Sequence, residues 1–179
     1  MVSLPPYDPF PTLSCAAVRL REGDEADLDA WHRRASDPVS SDLSGDPMPE
    51  SRDVVAEWLA LHRRRYAAGE GVRWMIVPAG EADSVGSIGL NRLDAAAGTA
   101  EVGMVIGRTH QGTGLGTAAA QLVLRFAFER MGLTEVRADC LQRNAGSRRV
   151  LAKLGFESIG EIDDYLHGEP GMLFALRSG

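Results

Sequence analysis

The residues of this sequence best suited to chemistry form a glycine-rich loop between an apolar strand and an apolar helix. The loop reads Gln111-Gly112-Thr113-Gly114-Leu115-Gly116-Thr117. Glycine puts no side chain between the backbone and a ligand, and it tolerates positive φ. The first N–H groups of the following helix have no partner inside that helix, and its dipole adds partial positive charge there. We therefore expect the backbone of this loop to bind a phosphate.

Three classes of phosphate-binding glycine loop can be compared with this spacing. A Walker loop requires a lysine directly after its last glycine, and no lysine follows any of these glycines. A dinucleotide-binding loop requires G-x-G-x-x-G or G-x-G-x-x-A, but counting from Gly112 leaves a threonine in the third place. That loop would also fall too late in the chain for the remaining parallel strands to follow. The third pattern, Q/R-x-x-G-x-G/A, is matched by Gln111, Gly114 and Gly116.

This third pattern resembles that of the GNAT N-acetyltransferase superfamily, and within it the RimJ/RimL-like branch. About 30 residues further on, Asn144 to Phe156 is similar to the branch's segment N-x-x-S-x-x-V-L-x-K-L-G-F. The resemblance implies an α/β (α+β) fold with a mixed, largely antiparallel central sheet of about seven strands and helices on both faces. It also implies acetyl-CoA as co-substrate and direct transfer of the acetyl group to a primary amine.

The hydrophobic pattern predicts the elements that position these segments. We expect strands at residues 14–20, 72–77, 84–93, 99–106, 134–141, 156–162 and 171–176. We expect helices at residues 25–36, from Ser51 to about residue 68, at 117–131 and at 145–154. The stretch 39–49 is rich in Ser, Asp and Pro and predicts a loop. Residues 1–13 carry four prolines and predict a mobile or loosely docked arm before a single domain of residues 14–179.

The resemblance also implies which residues contact the co-substrate. The pyrophosphate would bind the backbone of Gln111, Gly112, Thr113, Gly114, Leu115, Gly116 and Thr117. In the family, the preceding strand pairs through its backbone with the pantetheine arm, which here implies Met104, Val105 and Ile106. Asn144 corresponds to a family asparagine near the pantetheine, although it could also cap a helix. Arg149, with Arg148 and Lys153 beside it, would meet the 3′-phosphate or remain a solvated charge.

Acetyl transfer to an amine also needs a base for the amine proton and an acid, or solvent, for the leaving thiolate. Glu101 is the predicted base, acting through a water; it could instead be a solvent-facing strand residue. Ser147 is the predicted donor to the thiolate, or else a first-turn serine that bonds the backbone. Many family members carry a tyrosine in this helix where this chain has Leu151, so a dedicated acid is in doubt. The loop with Tyr165 and His167 is expected to shape acceptor specificity.

The composition limits the partners that we expect. The formal net charge is −6, whereas a nucleic-acid binder would more often be basic. No apolar run is long enough to span a membrane, and the N-terminus lacks the basic region of a secretory signal. We therefore expect a cytoplasmic protein with reduced, buried Cys15 and Cys140, no nucleic acid, no membrane and no metal. Because dimers are common in the branch, a homodimer is possible.

Two functions remain open from the sequence. One is an N-acetyltransferase whose acceptor is a protein N-terminus, a small metabolite or an amine antibiotic. The other is a non-catalytic module that binds acyl-CoA on the same fold, which the missing tyrosine and the uncertain base leave open. Release of CoA thiol that requires an amine acceptor would discriminate between them.

Overall fold

The structure is a computed structural model that describes residues 1–179. Its strands are β1 (Leu13–Ser14), β2 (Val18–Arg21), β3 (Val72–Pro78), β4 (Gly86–Asp94), β5 (Thr99–Ile106), β6 (Glu135–Leu141), β7 (Glu157–Leu166) and β8 (Glu169–Arg177). Its α-helices are α1 (Leu28–Ala35), α2 (Pro38–Ser44), α3 (Arg52–Ala67), α4 (Leu115–Arg125) and α5 (Ala145–Lys153). Short 3₁₀ turns cover Glu25–Asp27 and Arg108–His110, and a π-helical turn, Phe126–Arg130, extends α4.

The strands form one sheet in the order β1-β2-β3-β4-β5-β6-β8-β7. Every neighbouring pair is antiparallel except β5 and β6, which are parallel. This mixed, largely antiparallel sheet confirms the predicted fold class. The sheet has eight strands rather than about seven, because the predicted first strand is a short hairpin in which Leu13 pairs with Leu20.

Hydrophobic cores lie on both faces of the sheet, because neighbouring residues of a strand point to opposite sides. Trp74 belongs to the larger core, which contains α4 and α5. Met75 belongs to the smaller core beneath α1 and α3, with Leu28, Trp31, Val55 and Leu59. Helices therefore cover both faces, as predicted, and each face can present different groups to a site at the middle of the sheet.

Helix α2 lies in the stretch that we predicted to be a loop. Its two ends explain the difference. Asp37 caps the start by accepting hydrogen bonds from the backbone N–H and the hydroxyl of Ser40, at 3.2 and 2.7 Å, and Pro38 occupies the first helical position. Gly45, with φ of +74°, ends the helix in the left-handed conformation. The composition indicated a loop, but the order of these residues favours a capped helix.

The N-terminal arm, residues 1–13, packs against the domain, which differs from the mobile or loosely docked arm that we expected. The Tyr7 N–H donates to the Tyr66 hydroxyl at 2.8 Å, and that hydroxyl donates to the Tyr7 carbonyl oxygen at 2.9 Å. The buried Trp74 indole N–H donates to the Pro11 carbonyl oxygen at 2.6 Å, and the Phe10 ring lies against Trp74 and Tyr66. A buried indole N–H needs an acceptor, and the arm supplies it.

Two further expectations need correction. Cys140 is buried as predicted, but Cys15 is exposed in the turn between β1 and β2, so the prediction for Cys15 was wrong. The last hairpin is longer than predicted, because a two-residue turn with positive φ at His167 and Gly168 lets β7 and β8 pair to their ends. Tyr165 therefore lies in a strand, with its ring over Gly171, rather than in a loop.

Candidate active site

The two parallel strands at the centre of the sheet pair over only three residues. Thr99, Ala100 and Glu101 of β5 lie opposite Glu135–Arg137 of β6, and beyond that point the strands diverge. A cleft of about 490 Å³ opens between them, with α2 and the start of α5 also contributing to its walls. Along residues 102–106, β5 pairs with β4 on one side and has no strand on the other. The backbone groups on that free side are therefore available to a ligand.

Glu101 lies where the strands separate and lines the cleft. A bulge in β4 between Asn91 and Asp94 places Arg92 at φ of +48°, and its guanidinium donates to Glu101 Oε2 at 2.9 Å. Burial raises the pKa of Glu101 above its ordinary value, the charge of Asp139 raises it further, and Arg92 opposes both. Glu101 is thus a partly buried carboxylate rather than a solvent-facing residue.

The side chains of β5 alternate between the two faces of the sheet. Met104 and Ile106 pack toward α4, where a Cβ at Gly116 would meet Met104 Cε at 3.1 Å. Gly103 faces the other side, and a Cβ there would meet only Asn91 Nδ2, at 3.7 Å. The strand therefore contributes packing on one face, open space on the other, and free backbone groups along its edge.

The glycine loop places bare amide groups at the start of α4. Gly112 and Gly114 have φ of +76° and +89°, and nothing lies within 4 Å of a Cβ built on either. No carbonyl or side-chain oxygen of the chain accepts from the N–H groups of residues 112–117. With the dipole of α4 behind them, these amides form the type of site that binds a phosphate.

Gln111 differs from the rest of the predicted loop. Its N–H donates to the Arg108 carbonyl oxygen at 3.3 Å, so that amide is not free. Its side-chain Nε2 donates to the carbonyl oxygen of Ile106 at 3.0 Å. Gln111 therefore braces the loop against the end of β5, and the unpaired amides begin at Gly112.

The start of α5 forms another wall of the cleft. Asn144 Oδ1 accepts from the Ser147 N–H at 3.0 Å, so Asn144 caps the helix and also lines the cleft. Ser147 and Arg149 line the cleft too. Burial raises the pKa of the neighbouring Cys140 thiol, and a hydrogen bond with Ser147 partly offsets this. Leu151 is buried in the main core and supplies no acid.

Tyr165, which we expected to shape acceptor specificity, lines the cleft together with several residues that the sequence did not place there. The Tyr165 hydroxyl donates to Asp139 Oδ1 at 2.8 Å, and burial, followed by this bond, raises its pKa. Asp46, Asp139 and Arg73 add charges to the walls, whereas exposed His167 lies outside. Asp46 follows the end of α2, Arg73 lies on β3 and Asp139 on β6. The fold brings these three together, and no local motif could have identified them.

Comparison with known proteins agrees with this geometry. A family model described as an acetyltransferase (GNAT) domain matches residues 17–157, so the chain belongs to the GNAT acetyltransferase family. The uncharacterized N-acetyltransferase p20 of Bacillus licheniformis is 27% identical over 158 residues, which are 86% of each chain. The uncharacterized N-acetyltransferase YoaA of Bacillus subtilis is 25% identical, over 88% of this chain and 89% of its own.

Among solved structures, Mycobacterium smegmatis RimJ in complex with CoA-disulfide superposes with a TM-score of 0.82. It is 25% identical, and the match covers 94% of this chain and 88% of that one. The predicted resemblance to the RimJ/RimL-like branch is confirmed, and the protein is an acetyl-CoA-dependent N-acetyltransferase. None of its helices combines the length and apolar character needed to cross a membrane.

Proposed function

We propose that the protein transfers an acetyl group from acetyl-CoA directly to a primary amine that enters the cleft beside Glu101. The single observation that carries this proposal is the separation of β5 and β6 immediately after Glu101, next to the unpaired amides of the glycine loop. This arrangement would combine a phosphate site, a free strand edge and a partly buried carboxylate around one cleft.

The chain's backbone would hold most of the co-substrate. The N–H groups of residues 112–117 fit the pyrophosphate, and the free edge of β5 at Met104, Val105 and Ile106 fits the amide-bearing pantetheine arm. Because alternate residues of β5 turn their backbone groups to β4, the Val105 N–H faces Ser87. The Met104 N–H faces the free edge and would donate to the thioester oxygen as negative charge develops on it. Asn144 borders the same path, and Arg149 supplies positive charge for the 3′-phosphate.

Glu101 would accept the proton of the incoming ammonium group, directly or through a water. Its raised pKa suits this role, because a carboxylate with a higher proton affinity is a stronger base. How much the reaction needs this base depends on the pKa of the acceptor amine. An α-amino group of pKa about 8 is roughly a tenth neutral near pH 7, whereas a lysine amine of pKa about 10.4 is only about 0.04% neutral. An α-amine would therefore require less of Glu101.

The leaving thiolate needs a proton from the other side of the cleft. Ser147 lines the cleft, and because its N–H is bonded to Asn144, its hydroxyl is the group that could serve as donor. Water in the open cleft is the alternative donor. Direct transfer predicts sequential kinetics, and ping-pong kinetics with a trapped acetyl-Cys140 would contradict it.

The decisive experiment measures CoA thiol release with the purified chain, acetyl-CoA and a panel of primary amines. Release that requires an acceptor supports the transferase. Tight CoA binding with no release beyond hydrolysis would instead support the non-catalytic acyl-CoA-binding module. Glu101→Gln should lower turnover while CoA affinity stays unchanged, and unchanged turnover would remove Glu101 from the mechanism.

A further inference from the structure

A half-buried arginine without an ion-pair partner lies on the wall of the cleft. Arg73 of β3 points to the α1 side of the sheet, its Nη1 donates to Ser87 Oγ at 3.2 Å, and its Nε is buried with no hydrogen-bond partner. No protein oxygen accepts from its Nη2, and it makes no ion pair. A buried charge is costly unless it is paired. The unused donors of Arg73 therefore need an explanation.

Both positive groups and one carboxylate lie near Arg73, but the carboxylate forms no ion pair with it. Burial lowers the pKa of Arg73, the charge of Asp46 opposes this, and Arg65 lowers the pKa further. Burial, with Arg73 contributing, lowers the pKa of Arg34 to about 10. Burial, again with Arg73 and Arg65 contributing, lowers the pKa of His62 to about 3, so this ring is neutral. The unused donors of Arg73, with Arg34 and Arg65 nearby, therefore suit an anion on this face of the sheet.

The strand register leads from Arg73 directly to the reacting end of the cleft. Arg73 pairs with Gly89 of β4, and Gly89 pairs with Gly103 of β5, so all three face the same side. No side chain stands between Arg73 and β5 in this row. A Cβ at Gly89 would meet the Val72 carbonyl oxygen at 2.8 Å, whereas one at Gly103 would make only an ordinary contact, with Asn91 Nδ2 at 3.7 Å.

The distances fit one small molecule. Two strand spacings separate β3 from β5, which is about 10 Å between backbones, and the arginine side chain covers part of that span. The cleft walls also carry Glu101 and Asp139, whose charges act on each other. These two carboxylates suit an ammonium group at one end of the acceptor, while Arg73 suits an anion at the other end, where Asp46 lies near it without forming an ion pair.

We infer that Arg73 binds a carboxylate of the acceptor, so that the substrate is a small molecule carrying both a primary amine and a carboxylate. The planar guanidinium presents paired N–H donors that match the two oxygens of a carboxylate. This inference rests on the proposed transferase function and specifies its substrate class. It excludes polyamines and other purely cationic amines as the preferred acceptors.

The test uses a series of ω-amino carboxylates of increasing chain length, each paired with its primary amide. Thiol release from acetyl-CoA is measured for the wild-type chain, Arg73→Gln, Arg73→Lys and the control Arg64→Gln, which changes an exposed arginine on α3. We expect wild type to favour the acid over the amide by about 10- to 100-fold in kcat/KM at the best chain length. Arg73→Gln should abolish that ratio through KM, Arg73→Lys should restore part of it, and Arg64→Gln should leave it unchanged.

The possible results separate failure of this inference from failure of the proposed function. A wild-type preference for amides or diamines over acids overturns the inference while leaving the transferase intact. Equal losses on acid and amide in Arg73→Gln also overturn it, because they indicate a structural role. If Arg73→Gln does not fold, the wild-type ratio and Arg73→Lys decide. Aminoalkyl phosphonates that outperform the matching carboxylates would contradict the assigned anion, and absence of release with every amine would refute the proposed function itself.

Discussion

The phosphate assignment of the glycine loop can be tested with Gly114→Ala. Gly114 has φ of +89°, and no atom lies within 4 Å of a Cβ built there, so the new methyl group meets no neighbour in the free protein. The cost is therefore conformational. A residue with a Cβ loses about 1–2 kcal/mol in the left-handed region. The variant loop should relax toward negative φ and turn its amides away from their present direction.

This strain predicts the loss of CoA affinity. If binding requires the present loop conformation, the variant must recover it at a cost of about 1–2 kcal/mol, which is about a 5- to 30-fold increase in the Kd of CoA. Any contact between the methyl group and the pyrophosphate would add to this. Gly80→Ala is the matched control, because Gly80 has φ of +82° and equally open surroundings but lies in the β3–β4 turn, outside the cleft.

The assay is calorimetric titration with CoA, together with thermal unfolding of both variants. Weaker CoA binding in Gly114→Ala but not in Gly80→Ala would support the assignment. If Gly114→Ala has a Tm near that of wild type, which shows that its loop has relaxed, yet binds CoA as tightly as wild type, the phosphate does not lie on this loop.

Three further predictions concern the chemistry. Arg92→Gln removes the cation that lowers the pKa of Glu101, so that pKa should rise further. The acid limb of the pH profile of kcat/KM should then move to higher pH. An unmoved limb would show that Glu101 is not the titrating base. Ser147→Ala should lower kcat by about 10- to 100-fold with little change in CoA affinity if its hydroxyl serves the thiolate, whereas solvent protonation predicts an unchanged kcat in steady-state assays. Tyr165→Phe removes the hydrogen bond to Asp139 and should raise the acceptor KM about 3- to 10-fold, measured beside an unchanged KM for acetyl-CoA.

The parts of the site that depend on local patterns were predictable from the sequence. The glycine spacing identified the loop, and the asparagine before α5 was expected both to cap a helix and to border the co-substrate. Both are features of a few consecutive residues, because helix caps and tight turns are set by local geometry. The apolar pattern likewise gave most of the strands and their order along the chain.

The acceptor side of the site was predictable only in part. Tyr165 was expected to shape acceptor specificity, although from a loop, whereas Arg73 was not expected at the site. Both approach the cleft because of the pairing of β3 with β4 and of β7 with β8. A shift of one residue in either register would turn these side chains to the other face. The docked arm was missed for a related reason, since its prolines indicated irregular structure while its aromatic rings find partners far away in the chain.

The three-residue contact between β5 and β6 has a consequence for the mechanical integrity of the sheet. The first five strands and the last three are held together along that line by a single short parallel ladder, supplemented by α4 and α5. A bound CoA arm would occupy the gap and complete the hydrogen bonding that the polypeptide leaves unfinished. The bound ligand would thus take the place of a strand between β5 and β6 and stabilise the sheet. The amide hydrogens of β6 should therefore exchange with solvent more slowly when CoA is present.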